Sequence, residues 1–168
     1  MNENDDSTRL NHLMRREIQA PIVSALINGF AERFGAKKTR ALAKEIICKD
    51  AVQSGRHLAA EYGGNSLNEL LKIIEQVWAA DDTMLIENLT MDETGLRFDV
   101  VRCGYADMYE RLGMKELGAL LSCCRDHAFL DGFNPELRLV RTKTIMDGDE
   151  ICDFCYEPKS RQRLERSR

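Results

Sequence analysis

Proline, aromatic residues and long apolar runs are all scarce in this chain of 168 residues. Three prolines against 43% apolar and 31% charged residues exclude a low-complexity or wholly disordered chain. No apolar run nears the roughly 18 to 20 residues that a membrane span requires. The opening residues are polar and acidic, without the basic start and apolar stretch of a signal peptide. Positive charge is not in excess either: 24 bases face 28 acids, and the net charge is −4. That balance argues against a dedicated nucleic-acid binder, as do aromatics at only 7%, too few for a base-stacking platform. P-loop, GxGxxG and HExxH patterns are absent, so nucleotide chemistry has no support and nothing calls for a cofactor. A soluble, cytoplasmic domain of ordinary size is the expectation.

Cysteine is what the chain has in quantity. Cys48, Cys103, Cys123, Cys124, Cys152 and Cys155 make six, and five of them fall in the last 66 residues. In a reducing compartment they are read first as thiols, metal ligands or nucleophiles, and only then as disulfides. The chemistry is expected in the C-terminal half.

The periodicity predicts an α+β fold: an N-terminal helical half, then a four-stranded antiparallel sheet of two hairpins separated by two helices. Residues 1–8 read as a disordered tail, 9–156 as one domain, and 157–168, with five bases and two acids, as a basic C-terminal tail. Residues 10–34 are helical, with Pro21 opening a fresh helix after a break, and Ile22, Leu26, Phe30 and Phe34 forming one apolar face. A second helix covers 37–61. Ser66 with Glu69 three residues on has capping-box spacing and opens a third. Strands follow at 83–89 and 96–103, then helices at 105–112 and at 115–130, the latter ended by Gly132. Strands at 136–145 and 151–156 close the pattern. The apolar three-helix half leaves a homo-oligomer open.

Cys123, Asp126 and His127 share one helical stripe at spacings of three and four. A thiol flanked by an imidazole and a carboxylate is one way a cysteine becomes a nucleophile. The competing reading, favoured on spacing alone, is a buried thiol beside surface polar groups. Cys124 lies about 100° away on the same helix. Cys152 and Cys155 look like a CxxC, yet positions three apart in a strand face opposite ways and do not converge on one metal. Cys103, Cys123, His127 and Cys152 have acceptable ligand types for zinc, but their spacing does not demand it. Arg141, in the first strand of the second hairpin, suits a substrate carboxylate if it turns inward. His12 and His57 read as structural or surface residues, and Tyr105 and Tyr109 as core.

Several of these elements, in this order, resemble the L-2-amino-thiazoline-4-carboxylic acid hydrolase family. They are Cys103 at a strand end, Cys123-x-x-Asp126 on a helix, Gly132-Phe133-Asn134-Pro135, Arg141-Thr142 and Gly148-x-x-x-Cys152-Asp153-Phe154. With the helical stretch near residue 15, the similarity covers most of 15–156. The closing Gly-x-x-x-Cys-x-Phe hairpin also resembles 4-vinyl reductase-type ligand-binding domains. The first resemblance implies hydrolysis of a cyclic isothiourea acid to N-carbamoyl-L-cysteine, on a bacterial route to cysteine. It implies Cys123, Asp126 and Cys103 as catalytic residues. Arg141, Cys152 and Asn134 would contact a small-molecule substrate, and His127 joins them through its place on the Cys123 stripe rather than through the resemblance. The second implies a sensor module that binds without turnover.

Overall fold

A computed structural model describes residues 10–160. The expected tail at 1–8 and most of that at 157–168 lie outside them. Helix α1 (His12–Phe34) opens on Asn11, whose side chain accepts the Met14 amide. Pro21 does not break it. It removes one amide from the ladder on the exposed side, where water can satisfy the freed carbonyl. Gly35, at φ 90°, turns the chain into α2 (Ala36–Glu61). Ser66 and Glu69 form the expected capping box of α3 (Leu67–Ile73), which widens into a π-turn at Ile74–Trp78.

The sheet is antiparallel throughout, in the order β1 (Met84–Asp92), β2 (Gly95–Cys103), β4 (Cys152–Pro158), β3 (Leu137–Val140). Between the hairpins lie α4 (Gly104–Arg111), a short α5 (Lys115–Gly118), a second π-turn at Ala119–Cys123 and α6 (Cys124–Phe133). The α+β expectation holds. The third strand is shorter than expected, because the amides of Thr142 and Lys143 leave the ladder to bond the Asp153 carboxylate at 2.8 and 2.6 Å. β4 runs past the expected end at 156, and Glu157 pairs there with Arg138.

A further helix reading changes. Gly132 does not end α6; it lies inside the helix where the helix crosses α2, and a Cβ there would sit 1.9 Å from the Val52 carbonyl oxygen. The apolar row of α1 is not its core face. Ala20, Ser24 and Ile27 are buried, whereas Ile22, Leu26, Phe30 and Phe34 are exposed. The main core, around Leu70, Ile73, Phe129 and Tyr156, packs α3 and α6 on the sheet, and a second cluster joins α1 to α4 and the π-turn before α6. Between them lies a cavity.

Candidate active site

The cavity measures about 120 Å³, close to the roughly 150 Å³ that accommodates a benzene-sized molecule. Strand alternation turns Cys152, Phe154 and Tyr156 of β4 into it, beside Phe98 and Val100 of β2. Cys103 lies three residues beyond Val100, so simple alternation would place it on the other face. The β1–β2 register skips there, pairing Leu85 with Arg102 but Ile86 with Val100. The extra residue, Val101, restores Cys103 to the cavity side at the N-terminus of α4.

From α6 and the preceding turn come Ser122, Cys123, Asp126 and Phe129. At about 100° per residue, Cys123 sits at the edge of this arc and His127 falls beyond it. His127 is exposed and does not line the cavity, so the imidazole half of the expected stripe is missing. Asn134 is also elsewhere. It caps α6, donates to the Asn65 carbonyl and accepts the Glu136 amide, holding chain rather than ligand. Cys124 faces α2, where the Cys48 thiol approaches its carbonyl oxygen. Cys155 lines a cleft away from Cys152, as alternation requires. Among the described residues no group of three or more His, Cys, Asp or Glu is arranged to hold a metal.

Arg141 is turned inward, with its side chain 5% exposed and its guanidinium 4.9 Å from the Phe154 ring centre. It donates to Asp126 Oδ2 at 2.6 Å and to the Cys123 carbonyl at 3.2 Å. Both partners belong to the protein, so Arg141 holds Asp126 rather than standing open for a carboxylate. Asp126 Oδ1 makes no hydrogen bond among the described residues. Burial pushes the Asp126 carboxyl above its ordinary range, with Arg141 pulling the other way.

All three cavity thiols are raised by burial first of all. Cys103 is pushed up to about 11, with the backbone amides of Ala106 and Tyr105 opposing the rise. Cys123 is driven further up, with the Asp126 charge adding to burial. Cys152 is raised as well, moderated by the Ile145 amide 3.2 Å from its sulfur.

Over this geometry, a family model described as L-2-amino-thiazoline-4-carboxylic acid hydrolase matches residues 15–156. The chain belongs to this family. None of the curated proteins matches it. Two solved structures share the fold at low identity. The phenol-responsive sensory domain of the transcription activator PoxR, with phenol, is 10% identical with a TM-score of 0.51, covering 83% of this chain and 73% of its own. A trafficking protein particle complex subunit 3 from Naegleria fowleri, covalently bound to palmitic acid, is 11% identical with a TM-score of 0.51, covering 87% and 96%.

In this member of the hydrolase family the cavity also contains residues that sequence reasoning missed. His12 Nδ1 meets the Tyr105 hydroxyl at 2.7 Å, and burial lowers its pKa to about 4, so the imidazole is neutral. Arg16, one turn on, lines the cavity too. Their signal was present: His12, Arg16, Ala20 and Ser24 recur every four residues, and the last two are buried. The Tyr156 hydroxyl is buried with no partner among the described residues.

Proposed function

We propose that the chain hydrolyses a planar, cyclic amidine- or isothiourea-type acid resembling L-2-amino-thiazoline-4-carboxylate. The observation carrying this is the convergence of Cys103, Cys123, Cys152, Asp126 and Arg141, from separate elements, on one cavity of small-molecule size. Cys103 is the nucleophile. Its sulfur adds to the amidine carbon as its proton passes to Asp126, whose raised pKa makes it the stronger base. The ring carbon–sulfur bond then breaks, and the ring sulfur leaves as a thiol carrying that proton. Water adds to the same carbon and gives one proton through Asp126 to the departing Cys103 sulfur. Its other proton settles on nitrogen, leaving a urea. Arg141 orients Asp126 and keeps its charge tolerable in the cavity. The unpartnered Tyr156 hydroxyl supports a polar ligand, since a buried donor without a partner costs about 1–3 kcal/mol.

Incubation with L-2-amino-thiazoline-4-carboxylate should release one thiol per molecule and a product heavier by one water. Recovery of the compound unchanged, though bound, overturns the hydrolase reading and leaves a ligand sensor. Two observations favour that second reading. The thiols rest protonated, and the lining is rich in aromatic side chains, as suits relatives in fold that carry phenol and palmitic acid.

The pH profile tests the base. Asp126 must be ionised to accept a proton, and its pKa is raised, so kcat/KM should climb with pH through a midpoint above the ordinary value of about 4. Asp126→Asn should lower kcat/KM by about 10²–10⁴ and erase that limb. An unchanged acid limb in Asp126→Asn would remove Asp126 from the role.

A further inference from the structure

Three arginines line the cavity, and carboxylates answer only two of them. Asp126 holds Arg141 at 2.6 Å, and Asp50 holds Arg125 at 2.6 Å. Arg16 makes no hydrogen bond or ion pair among the described residues. The carboxylate next to it in sequence, Glu17, bonds Arg111 instead. The strongest charge acting on Arg16 is the repulsive Arg125 guanidinium, which together with burial disfavours its charge. His12 offers no compensation, being neutral and bonded to Tyr105. The one carboxylate whose charge reaches Arg16 is Asp50, and it is already bonded to Arg125. A partly buried guanidinium that has to share its counter-ion is costly to keep, and the cost falls when an anion arrives.

We infer that Arg16 is the anion-binding residue of this cavity, taking the carboxylate of the ligand through its guanidinium. This deepens the hydrolase reading by naming the group that orients the substrate. It rests on that reading for the reactive ring, but the anion preference is read in binding alone. With Arg16 fixing the carboxylate, the Arg141–Asp126 pair and Cys103 of the same lining are left for the carbon to be attacked.

Calorimetric binding of thiazolidine-4-carboxylate and its uncharged carboxamide, to the full chain, tests this. The wild type should prefer the acid by at least about tenfold, the range of a charge-assisted hydrogen bond. Arg16→Gln should abolish the preference by weakening the acid alone, with an unliganded Tm at or above the wild-type value. Arg16→Lys should retain part of the preference. No preference in the wild type, or a full preference in Arg16→Gln, overturns the inference. Loss of turnover on the thiazoline with the preference intact would sink the hydrolase reading and leave this one standing.

A different observation carries a second inference. Ile18 is 60% exposed, Ile22 68%, Leu26 54%, Phe30 52% and Phe34 62%. They form one unbroken i, i+4 ridge along α1, the kind that packs against an identical ridge at about −50°. The small exposed Pro21, Ala25 and Gly29 form the groove beside it. With Met14, the ridge presents on the order of 700 Å² of apolar surface, near the roughly 800 Å² per partner of a stable interface. We propose that a second copy of this chain covers it. Sedimentation should give a dimer at micromolar concentration and a folded monomer for Ile22→Asp or Phe30→Asp. A wild-type monomer, a dimer indifferent to both variants, or capture of the wild-type monomer by phosphatidylcholine vesicles overturns the proposal.

Discussion

Cys103→Ala is expected to abolish ring opening, lowering kcat/KM by at least about 10³, as removal of a covalent nucleophile does. Cys123→Ala should cost less than about tenfold. The two thiols share the cavity but not its electrostatics. Cys103 lies at the N-terminus of α4, where the helix dipole and the Tyr105 and Ala106 amides favour a developing thiolate. Cys123 has the Asp126 carboxylate adding to its burial, with only Arg141 as a principal counterweight. With a resting pKa of about 11, Cys103 attacks only if its proton leaves in the same step, which ties it to Asp126. The Cys103→Ala variant should still bind the thiazoline, separating lost chemistry from lost binding. Mass spectrometry of the quenched wild type should find an amidino adduct on Cys103. A fully active Cys103→Ala with a dead Cys123→Ala would transfer the nucleophile's role to Cys123.

How much of this site was legible depends on where local periodicity survives. Cys123 and Asp126 were readable because three residues on a helix keep a pair on one face. The opposed faces of Cys152 and Cys155 were readable because a strand alternates. His127 was misjudged for the same reason. It is as close to Cys123 in angle as Asp126 is, and the stripe alone does not say on which side the cavity lies. Cys103 depends on a register skip at Val101, which only the pairing with β1 reveals. Arg16 reaches the site from α1, more than eighty residues before Cys103 in the chain. The apolar row of α1 is legible as a face but not as an exposed one, because a sequence distinguishes an apolar face from a polar one, not a face covered by its own chain from one left outside. The π-turns have no periodic mark, yet the one at Ala119–Cys123 sets the rotation with which α6 presents Asp126.

That rotation is locked by the crossing of α6 over α2, and Gly132→Ala should show it as a large stability loss from a single methyl. An alanine in mid-helix is ordinarily better than glycine by roughly 0.5–1 kcal/mol. Here the sign reverses. The added carbon would lie 1.9 Å from the Val52 carbonyl oxygen and 2.7 Å from its carbon, both backbone atoms of α2. Gly55 on α2 faces the same constraint, its Cβ falling 2.2 Å from the Phe129 carbonyl oxygen and 2.7 Å from the Phe133 amide nitrogen. No rotamer relieves a backbone clash, so the helices must separate and lose the packing of both. The expected cost exceeds the roughly 1–3 kcal/mol of an overpacked side chain, a large share of the roughly 5–15 kcal/mol that holds a domain together. Denaturant unfolding should therefore show Gly132→Ala with a much lower midpoint, and activity lost with the fold. Asp126→Asn should lose activity with the α2–α6 crossing intact, its midpoint lowered only by leaving the buried Arg141 without its counter-ion. A Gly132→Ala protein as stable as the wild type would mean that α2 and α6 do not meet backbone to backbone, and that Asp126 is not held where the mechanism needs it.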